Sequence, residues 1–210
     1  MKIGILGAGM IGGTAARLLV NAGYEVAVSN SRDPETLAPL VADLGPRGRA
    51  GRGRDVAHWA DVVLLAVPWR TPEALPPPAT VDGKIVIDAM NPYTEDGGLT
   101  NLGTSTSSEA TQKRLPGARI VKAFNTIWYR HLAERGRPDL PVEERHAIFV
   151  AGDDAPAKQV VIAIIERIGF GAVDTGSLAD GGRRQQPNTP LYNKVMTVSE
   201  GRAAANERSE

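Results

Sequence analysis

The chain has 210 residues, 42% of them hydrophobic and 23% charged, and its 24 basic and 24 acidic side chains cancel to a formal net charge of zero. That is room for one large domain, or one domain with a small appendage, and it offers no general field to draw nucleic acid or a membrane surface. With no cysteine, disulfides, thiolate metal sites, cysteine nucleophiles and dithiol redox chemistry are excluded.

The chain opens Met1-Lys2-Ile3-Gly4-Ile5-Leu6-Gly7-Ala8-Gly9-Met10-Ile11-Gly12-Gly13. An apolar run leads into Gly7-x-Gly9-x-x-Gly12, and residues 14–20 continue at helical spacing, which is the strand, glycine turn and helix order of a dinucleotide site. Gly7 allows the tight turn, Gly9 lets backbone approach a pyrophosphate, and Gly12 lets the helix pack close to the strand. The backbone of Ala8, Met10 and Ile11 completes that seat, with the positive end of the helix facing the phosphates. A tight turn that binds nothing is the competing reading. Because the strand pattern starts at Lys2 and no apolar run approaches membrane-spanning length, we expect a cytoplasmic protein with no leader peptide and no membrane partner.

Asn21-Ala22-Gly23-Tyr24 reads as a helix stop and Glu25 to Val28 as a second strand. A carboxylate at the end of that strand would bind the ribose 2′-hydroxyl of NAD. Ser29-Asn30-Ser31-Arg32 stands there instead, and its hydroxyls and planar, permanently charged guanidinium suit a 2′-phosphate, favouring NADP. Ser31 can also cap the following helix while Arg32 is solvated. Apolar Leu37, Leu40, Val41 and Leu44 predict a surface helix over residues 33–44. The run Arg47 to Arg54 interleaves four arginines with glycine. Without aromatic residues it reads as a solvated loop with a brief third strand near Ala50, not as a nucleic-acid contact.

After a short helix over 55–60, the stretch from Asp61 to Val67 is a continuous apolar run after its first residue, rich in β-branched side chains, and suits a strand buried on both faces of a parallel sheet. It ends at Ala66-Val67, with Pro68-Trp69 in the loop at its carboxyl edge, where a nicotinamide can rest. Trp69 is either a lid over that ligand or a cover for the core. A fifth strand over 84–88 is broken by Asn91-Pro92, and a polar, glycine-rich stretch over 93–103 predicts a flexible loop above the cleft. A helix then runs to Leu115, and a sixth strand from Ala118 opens into another polar edge, Ala123-Phe124-Asn125-Thr126. Six strands alternating with helices predict an α/β, Rossmann-type doubly wound, mainly parallel sheet over residues 1–126.

Residues 127–210 predict a small C-terminal α/β extension: a helix at 127–134, strands at 146–152 and 172–176, and an amphipathic helix between them. From Arg183 onward only Leu191, Tyr192, Val195, Met196 and Val198 offer apolar anchors, so this stretch is read as a partly ordered, mobile tail or as an oligomer contact, with a homodimer in view. No acid/base device stands out. His58, His131 and His146 read as structural or solvated, Asp153-Asp154 as a helix cap in place of a metal site, and Lys122 either as a donor to a substrate carbonyl or as a strand residue pointing outward.

The chain resembles the NADPH-dependent reductases of the deazaflavin coenzyme F420, a family related to the oxidoreductase domain of the STEAP metalloreductases. The resemblance rests on Ile5 to Gly12, Ser29 to Arg32, Leu65-Ala66-Val67-Pro68-Trp69, Asp88-Ala89-Met90-Asn91-Pro92 and Val121 to Thr126, and it continues through Val150 to Asp154 and Asp174 to Leu178. It implies NADP(H) as cofactor, with Ser31 and Arg32 at the 2′-phosphate, and Ala66, Val67, Pro68, Asn91, Ala123 and Asn125 walling the nicotinamide and a small-molecule redox acceptor. No catalytic side chain is implied, because hydride transfer between stacked rings is chiefly positioning. The segment Arg183-Arg184-Gln185-Gln186 and the charged tail depart from the apolar closing helix of that family. Two alternatives stay open: reduction of a flavin or other small acceptor, and a non-catalytic NADP-binding module. Hydroxy-acid dehydrogenases and imine-reducing enzymes fit less well, since they fold a long helical domain where this chain resumes strands.

Overall fold

The structure, a computed structural model, describes residues 1–207. The first half alternates β1 (Lys2–Leu6), α1 (Met10–Asn21), β2 (Glu25–Ser29), α2 (Ala38–Leu44), β3 (Gly48–Ala50), α3 (Gly53–Trp59), β4 (Val62–Leu65) and β5 (Ile85–Asp88). The second adds α4 (Ser107–Arg114), β6 (Arg119–Lys122), α5 (Tyr129–Glu134), β7 (Ala147–Gly152), α6 (Ala155–Arg167), β8 (Gly171–Gly176), α7 (Asp180–Arg184) and α8 (Val198–Asn206). The strands form one sheet in the order β3-β2-β1-β4-β5-β6-β7-β8. All neighbours pair parallel except β6 and β7, which run antiparallel. This is the doubly wound α/β fold expected, with its switch point where β1 has β2 on one side and β4 on the other.

The continuous apolar runs are explained by burial on both faces. Ile3, Ile5, Val62, Leu64, Ile85 and Ile87 point into one core layer with Ala16 and Leu19 of α1 and Val161, Ile164 and Ile165 of α6. Their neighbours Leu6, Val63, Leu65 and Val86 point into the other, with Val56 and Ala57 of α3 and Leu115 after α4. Strand alternation therefore leaves no polar face.

Two local expectations are corrected, and a third, the loop over 93–103, gains local structure. The helix over 33–44 is a 3₁₀ turn at Pro34–Leu37 followed by α2, because Pro39, lacking an N–H, sits in the first turn of a new helix and cannot continue an old one. Residues 93–103 hold a bridged turn, with Tyr93 paired to Leu99 and the Thr94 N–H on the Gly98 carbonyl at 3.0 Å. The stretch from Arg183 to residue 207 packs on the sheet: Leu191, Val198 and Ala205 are buried against Ala147, Phe149 and Val173 of β7 and β8. Thr197 and Glu200 cap α8 reciprocally, and Ala147 donates its N–H to the Met196 carbonyl at 2.9 Å.

Candidate functional site

The three motif glycines are required for three separable reasons. Gly7 leaves β1 at φ +99°, and a Cβ there would sit 2.4 Å from the Ala66 carbonyl oxygen. A Cβ on Gly12 would stand 1.9 Å from the Gly7 carbonyl oxygen, so α1 packs against the turn only with hydrogen at that position. At Gly9 a Cβ would meet nothing within 4 Å. Gly9 is also the N-cap of α1 and brings no side chain to the free N–H groups of the first turn. The turn is held from the next strand, since the Gly7 and Ala8 N–H groups both donate to the Ser29 carbonyl at 3.0 Å. Met10 and Ile11 thus present first-turn N–H groups in an open cradle at the positive end of a 12-residue helix, with Ala8, its own N–H spent on Ser29, forming the rim, the geometry that receives a pyrophosphate.

At the carboxyl end of β2 the four expected residues divide. Ser29 is buried, with its hydroxyl turned back on the Ile5 carbonyl at 3.4 Å, so its part is to hold the glycine turn. Asn30 shapes the loop: Oδ1 accepts the Arg32 N–H at 2.9 Å and Nδ2 donates to Thr36 Oγ1 at 3.0 Å. Ser31 and Arg32 are exposed. No carboxylate occupies the end of the strand itself, so the donor set fits a 2′-phosphate better than a bare 2′-hydroxyl.

At the β4 edge Ala66 and Val67 are half-buried and Pro68 exposed. Trp69 turns back into the core at 8% exposure, with the Arg114 guanidinium 4.9 Å from its ring centre. Of its two readings, the structure bears out the core cover.

The β5 and β6 edges are tied together, and the C-terminal segment completes them. Asn91 Nδ2 donates to the Asn125 carbonyl at 2.8 Å, and Asn125 Nδ2 donates to Asn91 Oδ1 at 3.1 Å and to the Gln185 carbonyl at 2.7 Å. The Tyr192 hydroxyl lies 3.1 Å from that of Tyr93 and 3.4 Å from Asn91 Nδ2. Burial, together with the Tyr93 hydroxyl, pushes the Tyr192 phenol above its ordinary range, so it stays a neutral hydrogen-bonding group. Ala123 is fully buried and Phe124 takes φ +65°, which swings the chain out of β6 toward Asn125. Among the described residues, Asn125 Oδ1 and Gln185 Oε1 are buried with no donor. Tyr93, Gln185 and Tyr192 were not expected from the sequence; the bond from Asn91 to Tyr192 spans 101 residues and has no local signal.

Lys122 does not point outward. It is fully buried, with Nζ 3.2 Å from the Met90 carbonyl and 3.1 Å from both Ser107 Oγ and Ser108 Oγ. Ser108 passes the link to Asp88 Oδ2 at 2.7 Å. Burial lowers the Lys122 pKa, and the Asp88 carboxylate opposes that. The network fastens α4 to the β5 and β6 edges beneath the two asparagines. Asp154 caps α6 through the Ala157 N–H at 2.8 Å and pairs with Arg119 at 2.6 Å, the capping role expected. Of the histidines, His58 is exposed on α3, and His131 and His146 lie side by side with ring centres 5.9 Å apart.

The chain is similar to known proteins across this same frame. Residues 2–92 match the family described as NADP oxidoreductase, coenzyme F420-dependent. The solved structure of hypothetical protein SMa0349 from Sinorhizobium meliloti is 31% identical, with a TM-score of 0.81 over 94% of this chain and 95% of that one. A candidate F420-dependent NADP reductase from Arthrobacter sp. FB24 is 30% identical, with a TM-score of 0.72 over 87% and 88% of the two chains. Among curated proteins, metalloreductase STEAP3 of Rattus norvegicus is 30% identical over 85% of this chain and 34% of its own length. The chain spans roughly a third of the length of the curated relatives it matches. It belongs to the coenzyme F420-dependent NADP oxidoreductase family. Among the described residues no helix is long and apolar enough to cross a membrane.

Proposed function

We propose that this chain passes a hydride between NADP(H) and a deazaflavin ring of the coenzyme F420 type, held face to face above the carboxyl edges of β4, β5 and β6. The observation that carries the cofactor half is the open Gly9 cradle together with an exposed Arg32 at the end of β2. The acceptor half is supported by the likeness to the Arthrobacter protein over nearly the whole chain. The nicotinamide supplies the redox chemistry, so the protein needs to align two rings and keep water from between them. Ala66, Val67 and Pro68 would form one wall and the Asn91–Asn125 clamp another, with Ser31 and Arg32 on the 2′-phosphate. A second reading, a flavin or other small acceptor, is favoured by the likeness to a metalloreductase.

The test mixes purified protein with NADPH and either coenzyme F420 or FMN and follows the loss of nicotinamide absorbance. Turnover with F420 well above that with FMN supports the first reading, and the reverse order supports the second. Tight NADPH binding with no turnover on either acceptor would sink both. Arg32→Ala should cut the preference for NADP over NAD at least about tenfold; an unchanged preference would refute the 2′-phosphate assignment.

A further inference from the structure

The run of four arginines between residues 47 and 54 has no part in the site as described so far, and the structure separates its members. Arg47 lies at the amino end of β3, the end of the sheet away from the cleft. Arg49 is engaged on the edge strand, 3.2 Å from Glu25 and with its guanidinium 4.3 Å from the ring centre of Trp59. Arg52 is placed differently. Ala50 of β3 pairs in register with Val28 of β2, and the Gly51 N–H donates to the Val28 carbonyl at 3.1 Å. Arg52 and Asn30 each follow that pair by two residues, just past the carboxyl ends of β3 and β2. The position of a Cβ on Gly53 is 3.6 Å from Ser29 Oγ, which puts the start of α3 against the same loop.

Arg52 reaches across this loop to Asp33, Nη2 to Oδ1 at 3.4 Å, with the two side chains 74% and 70% exposed. A long, exposed pair in water holds its partners weakly. Asp33 follows Arg32 directly, and its carboxylate makes no cap bond to the turn that it precedes. A carboxylate beside Arg32 repels a phosphate dianion bound there, and Arg52 is the cation that offsets it. From this arrangement we infer that Arg52 is the second guanidinium of the 2′-phosphate site. It exchanges the Asp33 carboxylate for the phosphate when cofactor binds, and it clamps that phosphate from the β3–α3 side while Arg32 holds it from the β2 side. A phosphate offers more acceptor oxygens and more charge than one carboxylate, so the exchange is downhill for a fork-shaped donor. Specificity for NADP then comes from two loops of which the β2 loop alone is conspicuous in sequence.

This inference rests on the NADP reading above, and the experiment separates the two. Isothermal titration with 2′,5′-ADP and with 5′-AMP isolates the 2′-phosphate without involving turnover. Arg52→Ala should weaken 2′,5′-ADP binding about ten- to a hundredfold and leave 5′-AMP within about twofold, the loss expected for one charge-assisted phosphate contact. Arg52→Lys should recover part of the loss. Asp33→Asn should tighten 2′,5′-ADP, and by clearly more in the unaltered chain than in the Arg52→Ala background, because only the former also frees Arg52; an equal gain in both backgrounds would leave Arg52 a bystander. If Arg52→Ala binds 2′,5′-ADP like the unaltered chain while Arg32→Ala does not, the inference fails and the NADP reading stands. If the unaltered chain binds the two nucleotides equally, both fail.

Discussion

Gly9→Ala separates the cofactor seat from the fold. A Cβ at this position enters open space, and the backbone (φ −82°, ψ −154°) is extended, so alanine is accommodated. Two small effects oppose each other: alanine is the poorer N-cap, while restricting the unfolded chain favours it, each by about 0.5–1 kcal/mol. The melting temperature without ligand should therefore stay within about 3 °C of the unaltered chain. In the complex the new methyl stands where the pyrophosphate must touch backbone N–H groups, and each such charge-assisted bond is worth about 1.5–3 kcal/mol, so the Kd for NADPH should rise by about two orders of magnitude. At NADPH equal to one hundred times the unaltered Kd, binding stabilises the unaltered chain by about 2.7 kcal/mol and the variant by about 0.4. For a chain of this size that is a rise of about 5–11 °C against about 1–2 °C in a thermal melt. Gly12→Ala supplies the contrast, since its Cβ would lie 1.9 Å from the Gly7 carbonyl oxygen and the backbone must give way before any ligand is added. The reasoning fails if Gly9→Ala keeps the full NADPH shift, or if it melts far below the unaltered chain without ligand.

The remaining predictions concern the supports of the site. Lys122→Met leaves the Asp88 carboxylate buried without its cation and should cost about 3–5 kcal/mol in urea unfolding; Asp88→Asn in the same chain should return part of it, and a cost under about 1 kcal/mol would show the network to be slack. Burial, with His131 and Arg135 adding to it, lowers the His146 pKa from its usual 6.5 to about 4. The unfolded chain thus binds a proton that the folded chain refuses between these values. Stability should rise with pH from about 4 to 6.5 with a slope of at most about 1.4 kcal/mol per pH unit from this group, and His146→Phe should flatten that segment of the curve. Tyr192→Phe removes the hydroxyl that meets Tyr93 and Asn91. NADPH affinity should hold while the KM for the acceptor rises; a changed NADPH affinity with an unchanged KM would place Tyr192 on the cofactor side.

Some of this architecture is written locally and some is not. Val62 to Leu65 could be read as a doubly covered strand because every residue in it must be apolar. Lys122 was harder, since strand alternation suggests that every second side chain is free to point to solvent. Within a sheet covered by helices on both sides no such direction exists, and the lysine has to be satisfied by Ser107, Ser108 and a backbone carbonyl instead. The helix α8 was missed for another reason: it packs through small residues. A Cβ on Gly201 would lie 3.1 Å from Ala147 Cβ and 3.2 Å from the Phe149 ring, so close approach, not a stripe of large side chains, seats this helix on the sheet.

The same distinction runs through the site. The pyrophosphate seat is local, because its donors are backbone groups and the sequence has only to specify where side chains must be absent. The wall proposed for the acceptor is built across the chain, from Asn91, Asn125, Gln185 and Tyr192, by hydrogen bonds whose partners are 34 to 101 residues apart. A pattern reader meets the first as a motif and the second as unrelated polar residues. The segment expected to depart from the family's ending, Arg183 to Gln186 and the tail after it, supplies Gln185 and Tyr192 to this second wall. Asn193 pins it there by donating its N–H to the Thr126 carbonyl at 2.9 Å. The family match over residues 2–92 covers the glycine turn, the β2 loop and Asn91, and it stops before Asn125 and the closing segment. On the proposed reading, cofactor choice and acceptor choice are carried by different stretches of chain that meet at Asn91.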